Sequence, residues 1–301
     1  MYDLVTVGQF AFDWIVRKTL KSRWTLGGPP TFVSLSAKAL GASVSSISKV
    51  GADFSDDYVS WLSRNGVDLT GVKRSDGPTT RFKITYSDAT RTLQLVARCE
   101  PIGLEDLQCE VKTKAIHIAP IANEISVKAA LSLCRYGKLI SLDPQGFLRS
   151  FDRNGYVHAR RWLDKTLFKE VHILKASSRE LSVATQMRDL RKGLSKARRL
   201  GPKICVATMG ARGVLLLSED ASYYKVPAYM PPQVVDPTGS GDAFAGAFLI
   251  EYMRTQDSVW STALASAAAS FVVEGVGPSN FGTRHQTEER AAKIMEKVKK
   301  I

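Results

Sequence analysis

Residues 234–248 read VVDPTGSGDAFAGAF: two aspartates, Asp236 and Asp242, six positions apart, with Gly239 and Gly241 between them and an apolar helix signal behind. The glycines free the backbone to turn tightly and to expose N–H groups at the start of a helix that carries Phe244, Phe248 and Tyr252 at fourfold spacing. Such an end attracts anions, because unpaired N–H groups and the helix dipole point at the same ligand. A carboxylate at Asp242 beside a phosphate suits a general base that takes a proton from a hydroxyl as it attacks phosphorus. The same residue also suits a plain helix cap, and spacing leaves both readings open. Two familiar glycine motifs are absent. There is no GxxxxGK[ST], and GSGDAF puts Phe244 where the third glycine of a dinucleotide fingerprint belongs. That fingerprint is also expected in the first strand-to-helix turn of its domain rather than near the end of the chain.

Outward from this stretch, the chain alternates short β-branched runs with amphipathic stretches, the pattern of a mostly parallel sheet covered by helices. DLVTVG (3–8), SVSSISKVG (43–51), KAIHIAP (114–120), KLISLDP (138–144), EVHILKA (170–176) and KICVATMG (203–210) read as strands. Helical spacing marks 30–41, 122–137 and 155–170, two of them closed by a glycine suited to a left-handed cap. Three further helices are expected at 240–255, 257–274 and 286–299. TTRFKITYSDATRTLQLVA (79–97) instead alternates apolar and polar residues around a turn, as a hairpin with one wet face does. A hairpin interrupting an α/β run is a candidate lid.

With 301 residues, 44% of them hydrophobic, the chain buries a large core and is neither disordered nor fibrous. No stretch approaches twenty uninterrupted apolar residues, and MYDLVTVGQF has Tyr-Asp where a signal peptide carries basic residues. No membrane association and a cytoplasmic location are expected. Cys99, Cys109, Cys134 and Cys205 lie far apart without CxxC spacing, which fits reduced thiols. The formal charge of +13 points to an anionic partner without choosing one. The basic clusters at 187–199 and 293–300 read as solvated helix faces without interleaved aromatics, so nucleic acid is not expected as a partner. His117 and His172 fall in strands and His158 and His285 in polar stretches, none at ligand spacing.

Taken together, DPTGSGDAFAGAF, GGPPTFVSLSAKALG, VGQFAFD, ATMGARGVLLL and LKASSRELS resemble, in order, motifs of the ribokinase-like (PfkB) carbohydrate kinase family. The resemblance implies one domain over 1–301, a three-layer α/β/α core with a mostly parallel central sheet, and a small β lid formed by insertions at about 11–22 and 72–97. It implies ATP and Mg2+ as cofactors and a small-molecule polyol or sugar as acceptor. By the same resemblance Asp242 is the catalytic base, and the backbone amides of Gly239, Ser240 and Gly241 form the anion hole. Asp13, Gly27 and Gly28 meet the acceptor, the carboxylate taking hydrogen bonds from vicinal hydroxyls, although a solvated turn also explains Asp13 alone. Glu180 holds magnesium through water, and Ser177, Thr208, Gly210 and Gly213 line the nucleotide site. EGVGPSN (274–280) lies where the family receives adenine.

The chain also departs from the family. Phe32 stands where sugar kinases carry asparagine, trading a hydrogen bond for an apolar wall, and Ser177 replaces the asparagine of the N-x-x-E stretch. LDPQGFLRSFD (142–152) and LGGPPTFVS (26–34) resemble the inositol-kinase branch, so the acceptor expected is myo-inositol, with a ribokinase- or fructokinase-type sugar or a nucleoside as alternatives and a non-catalytic sugar or nucleotide sensor on the same fold as the reading from another class. Asp143, Gln145 and Arg149 then lie near the phosphates or the polyol, with surface-loop roles for Gln145 and Arg149 equally open. Arg81 and Lys83 of the hairpin are candidates to face the site. A lid edge strand offers a contact for a homodimer.

Overall fold

The computed structural model describes residues 1–17, 22–87, 90–107 and 112–301. Cys109, the hairpin tip at 88–89 and most of 18–22 in the expected lid lie outside the described residues.

The β-branched runs form strands where expected: β1 (Tyr2–Val7), followed after β2 (Ala11–Arg17), β3 (Arg23–Gly27) and helix α1 (Pro29–Ala39) by β4 (Val44–Gly51). Helix α2 (Asp56–Arg64) leads into short strands β5 (Val67–Asp68) and β6 (Val72–Ser75), then the hairpin β7 (Thr80–Ser87) and β8 (Thr90–Ala97). The chain continues through β9 (Thr113–Ile118), α3 (Val127–Leu133), β10 (Gly137–Leu142), β11 (Arg149–Phe151) and β12 (Val157–Ala159). Next come β13 (Ile173–Ser177), α4 (Ser178–Thr185), α5 (Leu190–Leu200), β14 (Ile204–Thr208), β15 (Val214–Leu217) and β16 (Tyr223–Val226). Helices α6 (Ser240–Thr255), α7 (Ser258–Val272) and α8 (Arg284–Met295) and strand β17 (Lys299–Lys300) complete it.

The main sheet runs β17-β16-β15-β14-β13-β10-β9-β1-β4-β5, with β6 also on β4. From β14 to β5 every pairing is parallel, and β15, β16 and β17 add an antiparallel edge. Side chains from the two faces feed two cores. One packs Phe244, Phe248, Leu264 and Val33 from α6, α7 and α1; the other packs Leu133, Leu181 and Leu194 from α3, α4 and α5. The result is three layers, α/β/α. The fourfold aromatic spacing in α6 becomes a stack, Phe244 to Phe248 at 6.2 Å and Phe248 to Tyr252 at 5.9 Å. Among the described residues no helix is long and apolar enough to cross a membrane.

A second sheet, β3-β2-β7-β8, shares a cavity with Asp143, Ser177 and Thr208 at the C-terminal ends of β10, β13 and β14. Its strands come from 11–17, 23–27, 80–87 and 90–97, whereas β6 pairs with β4 of the main sheet, so the hairpin begins at Thr80 rather than at 72.

Three helix expectations are corrected. Residues 155–170 are not helical: Val157–Ala159 pairs with β11, and a short 3-10 turn occupies Thr166–Lys169. Asp152 accepts the amides of Asn154 and Tyr156, which starts a turn, and Trp162 is then pinned by stacking on Phe147 at 4.7 Å. The helix expected at 122–137 is confined to α3 and a 3-10 turn, and Gly137 opens β10 with φ −122° instead of a left-handed cap. The last helix starts two residues early, after a Thr283 capping box with Gln286, and stops at Met295 because Lys299 and Lys300 pair with β16. Cys99, Cys134 and Cys205 are free thiols, as expected.

Candidate active site

The loop 236–239 enters α6 through Gly239, whose left-handed φ of +78° and bare Cα let the ring of Phe32 pack directly on it. Phe32 is buried and also meets Phe281, so the apolar wall read from the sequence underlies the glycine loop. The amides of the first helical turn have no intrahelical acceptor. Ser240 donates its amide to the Pro237 carbonyl at 3.2 Å, and Gly239, Ser240, Gly241 and Asp242 all border the same cavity. Asp242 follows in the same turn. Burial pushes its carboxyl up to about 6, Lys175 and Arg149 opposing that shift and Asp143 and Glu180 adding to it.

A polar cavity of about 350 Å³ joins Asp242 to Asp13, Gly28, Gln145, Arg149, Lys175 and Glu180. Asp13 sits on β2 opposite Thr25 of β3 and Phe82 of β7. A methyl group on Gly27 would collide with the Asp13 carboxylate, so the first glycine of the pair makes room for that side chain. Gly28, at φ +82°, caps α1 and leaves no space for a Cβ against the Gln9 carbonyl. Asp13 is 5% exposed, and burial pushes its carboxyl up to about 7, Asp236 and Asp242 adding to the rise and Arg91 and Arg149 restraining it.

The DPQGFLR segment threads its side chains under this cavity. Asp143 accepts Lys175 Nζ at 2.6 Å and the Gln145 amide at 3.2 Å. Gln145 Nε2 donates to Asp242 Oδ1 at 3.3 Å and its Oε1 accepts Arg149 Nη2 at 2.7 Å, while Arg149 Nη1 donates to the Ile121 carbonyl at 2.8 Å. Gln145 and Arg149 therefore belong to the cavity rather than to a surface loop. Ser177 and Glu180 form a capping box on α4, with the Ser177 amide donating to Glu180 Oε2 at 2.8 Å. Among the described residues the other carboxylate oxygen takes no hydrogen bond, and Glu180 borders the cavity.

Beyond the Gly239–Gly241 turn lies an apolar slot of about 360 Å³ lined by Thr208, Gly210, Gly213, Tyr229, Met230 and Phe244 among others, with no charged side chain in its lining. Gly210 and Gly213 both take positive φ, and at Gly213 the Val226 carbonyl occupies the place of a side chain. The slot ends at Val273. Val276, Pro278 and Ser279 instead border a groove with Trp24, Thr25 and Trp61, so the 274–280 stretch does not face this slot. Arg81 and Lys83 are corrected too: Arg81 is ion-paired with Asp53 and Lys83 is exposed, while the alternate residues Phe82 and Ile84 line the cavity.

Several cavity residues escape sequence reading. Lys175 is a lone cation in an otherwise apolar strand, two residues before Ser177, and that period of two was its signal. Arg91 reaches the cavity from β8. Asp236 is held by Arg17 of β2 at 2.9 Å and accepts Tyr86 at 3.3 Å, and Tyr86 also bonds Thr238 at 2.8 Å, which ties the second sheet to the glycine loop. Among the described residues no three His, Cys, Asp or Glu side chains form a cluster able to hold a metal ion.

The model of the pfkB family carbohydrate kinases matches residues 2–284. The chain is 30% identical to a cytidine kinase of Thermococcus kodakarensis, over 84% of this chain and 90% of that protein. It is 28% identical to an inositol 3-kinase of Oryza sativa subsp. japonica, over 92% and 70% respectively. Among solved structures, a pyrophosphate-dependent kinase in the ribokinase family superposes with a TM-score of 0.83 at 26% identity, covering 95% of this chain and 99% of that one.

Proposed function

The chain belongs to the pfkB family of carbohydrate kinases, and from that premise we propose that it moves the γ-phosphoryl group of ATP onto a ring hydroxyl of a small polyol, with myo-inositol as the acceptor. The observation that carries this reading is the meeting of two unlike chambers at one helix start. A polar cavity holding Asp13 and Asp242 lies on one side of Gly239–Gly241, and a slot without charge lies on the other. An apolar slot suits the flat face of a nucleobase, whereas inorganic pyrophosphate would call for cations there, so the donor is ATP even though one structural relative uses pyrophosphate.

In this reading Asp13, with the close approach allowed by Gly27 and Gly28, accepts hydrogen bonds from vicinal hydroxyls and presents a third hydroxyl to Asp242. Asp242 takes that proton as the oxygen attacks phosphorus, and the amides of Gly239 and Gly241 receive the developing charge. Gln145 holds the base through its 3.3 Å bond, and Arg149 holds Gln145. Thr208, Gly210, Gly213 and Ser177 border the donor. Glu180 offers one free hard oxygen without a cluster around it, which fits a magnesium ion carried mainly by the donor's phosphates and water. That ion would neutralise phosphate charge. The second sheet acts as a lid that excludes water, latched through Arg17 and Tyr86.

A nucleoside acceptor is the second reading, favoured by the wall of Phe82, Ile84, Leu93 and Ile121 opposite the carboxylates, which would take a base as Asp13 takes the ribose. ADP release with MgATP decides between them across myo-inositol, ribose, fructose, 2-keto-3-deoxygluconate, adenosine and cytidine. Turnover highest with myo-inositol supports the polyol, turnover highest with cytidine or adenosine replaces it, and no turnover with any acceptor overturns the kinase reading.

A further inference from the structure

We propose that Lys175 is a catalytic residue of this phosphoryl transfer, its ammonium completing the anion hole by contacting the migrating group, and that Asp143 is the residue that positions it. The inference deepens the kinase reading and rests on it.

Lys175 lies on β13 between Leu174 and Ala176, both without exposure, and its own side chain is 8% exposed. Its Nζ lies 2.6 Å from Asp143 Oδ2, and a methyl group on Gly241 would stand 3.0 Å from the same nitrogen. Gly241 thus lets an ammonium approach the backbone of the helix start. Only one of the three N–H donors is used by that bond, and no other acceptor among the described residues takes the remaining two. A buried cation with unused donors, facing a cavity beside free helix amides, has the geometry of an anion clamp rather than of a finished ion pair. Burial alone would lower the lysine, but Asp143, Asp242 and Glu180 outweigh it and push it up to about 12, so it stays charged. Its place two residues before Ser177 on one strand also restores donors near the phosphates where serine is shorter than the family's asparagine.

In the transfer the acceptor oxygen forms a bond to the γ-phosphorus and its proton passes to Asp242. The bond from that phosphorus to the β–γ bridging oxygen breaks, and its electron pair leaves with ADP. Lys175 neither gains nor loses a proton; it offsets the negative charge on the oxygens in flight.

Lys175→Met, Lys175→Arg and the double variant Lys175→Met/Asp143→Asn test this. Wild-type turnover is scored first, since its absence refutes the kinase reading and this proposal with it. Given turnover, Lys175→Met should lose about 10²–10³-fold in kcat. Affinities for ATP and acceptor, by calorimetry, should change only a few-fold, and binding of ADP with aluminium fluoride, a stand-in for the flat phosphoryl group, should weaken in parallel with kcat. Arginine should restore part of the loss. The double variant, which leaves no unpaired buried carboxylate, should melt near wild type and remain as slow as Lys175→Met. A double variant within tenfold of wild-type kcat, or a Lys175→Met defect confined to melting temperature or KM, overturns the assignment and leaves the kinase reading intact.

Discussion

Replacing Asp13 with asparagine should make the protein more stable while removing its grip on the acceptor. The Asp13 carboxyl is 5% exposed, makes no hydrogen bond among the described residues, and is pushed by burial, then by Asp236 and Asp242, from 3.8 to about 7. A folded-state value above the unfolded one means that the folded chain binds the proton more tightly, so stability falls as pH rises through this interval. Each pH unit is worth about 1.4 kcal/mol, so roughly three of them place about 4 kcal/mol of strain in the folded protein at pH 8, where both states are ionised. At pH 5 the folded carboxyl is still protonated and only the unfolded one has ionised, which reduces the cost to about 1–2 kcal/mol. Asparagine has no charge to bury. For a chain of this length, at about 2 °C per kcal/mol, Asp13→Asn should melt roughly 8 °C above wild type at pH 8 and 2–4 °C above it at pH 5. The assay is thermal unfolding without ligand at the two pH values, with acceptor binding by calorimetry beside it. A variant that melts below wild type at pH 8, or by a margin that does not change with pH, would refute the electrostatic account of this residue.

Other consequences are as direct. Because Asp242 must be ionised to accept a proton and burial pushes it up to about 6, kcat at saturating substrates should fall about tenfold per pH unit below that value and stay level above it; a flat profile from pH 5 to 8 removes the base. Gly239→Ala forces a side chain into a left-handed turn and onto the Phe32 ring, costing at least about 1–2 kcal/mol in urea unfolding and lowering kcat, and Phe32→Leu should recover part of both. Arg17→Met strips a fully buried Asp236 of its cation and should destabilise the chain by about 3–5 kcal/mol; wild-type unfolding would show that the latch between second sheet and glycine loop carries no energy.

Much of this arrangement is legible in the sequence, for reasons specific to the residues. Parallel strands buried on both faces favour short apolar, β-branched runs, so KICVATMG announces itself, and the fourfold aromatics of α6 can only be one helical stripe. Residues 155–170 misled because Trp162, Leu167 and Phe168 are each buried by separate tertiary contacts, and helical spacing among them is accidental; Leu163, on the same pattern, is 77% exposed. Period-two alternation in the hairpin is visible, but which face is wet depends on the sheet beneath it, and Asp53 draws Arg81 to the outer side. Lys175 and Arg91 went unread for a different reason: a single charge in a strand acquires meaning only when Asp143 and the glycine loop, distant in the chain, arrive beside it.

The account stands on Asp242 serving both chambers at once, and one comparison tests it most directly. Phosphate-ester formation from MgATP and the best acceptor, followed by phosphorus NMR, is measured for wild type and for Asp242→Asn, with ATP and acceptor affinities determined on the same samples. The account predicts a new phosphomonoester from the wild type, and a variant that binds both substrates within a few-fold yet forms it about 10²–10⁴-fold more slowly. Ester formation by Asp242→Asn at near the wild-type rate would contradict it.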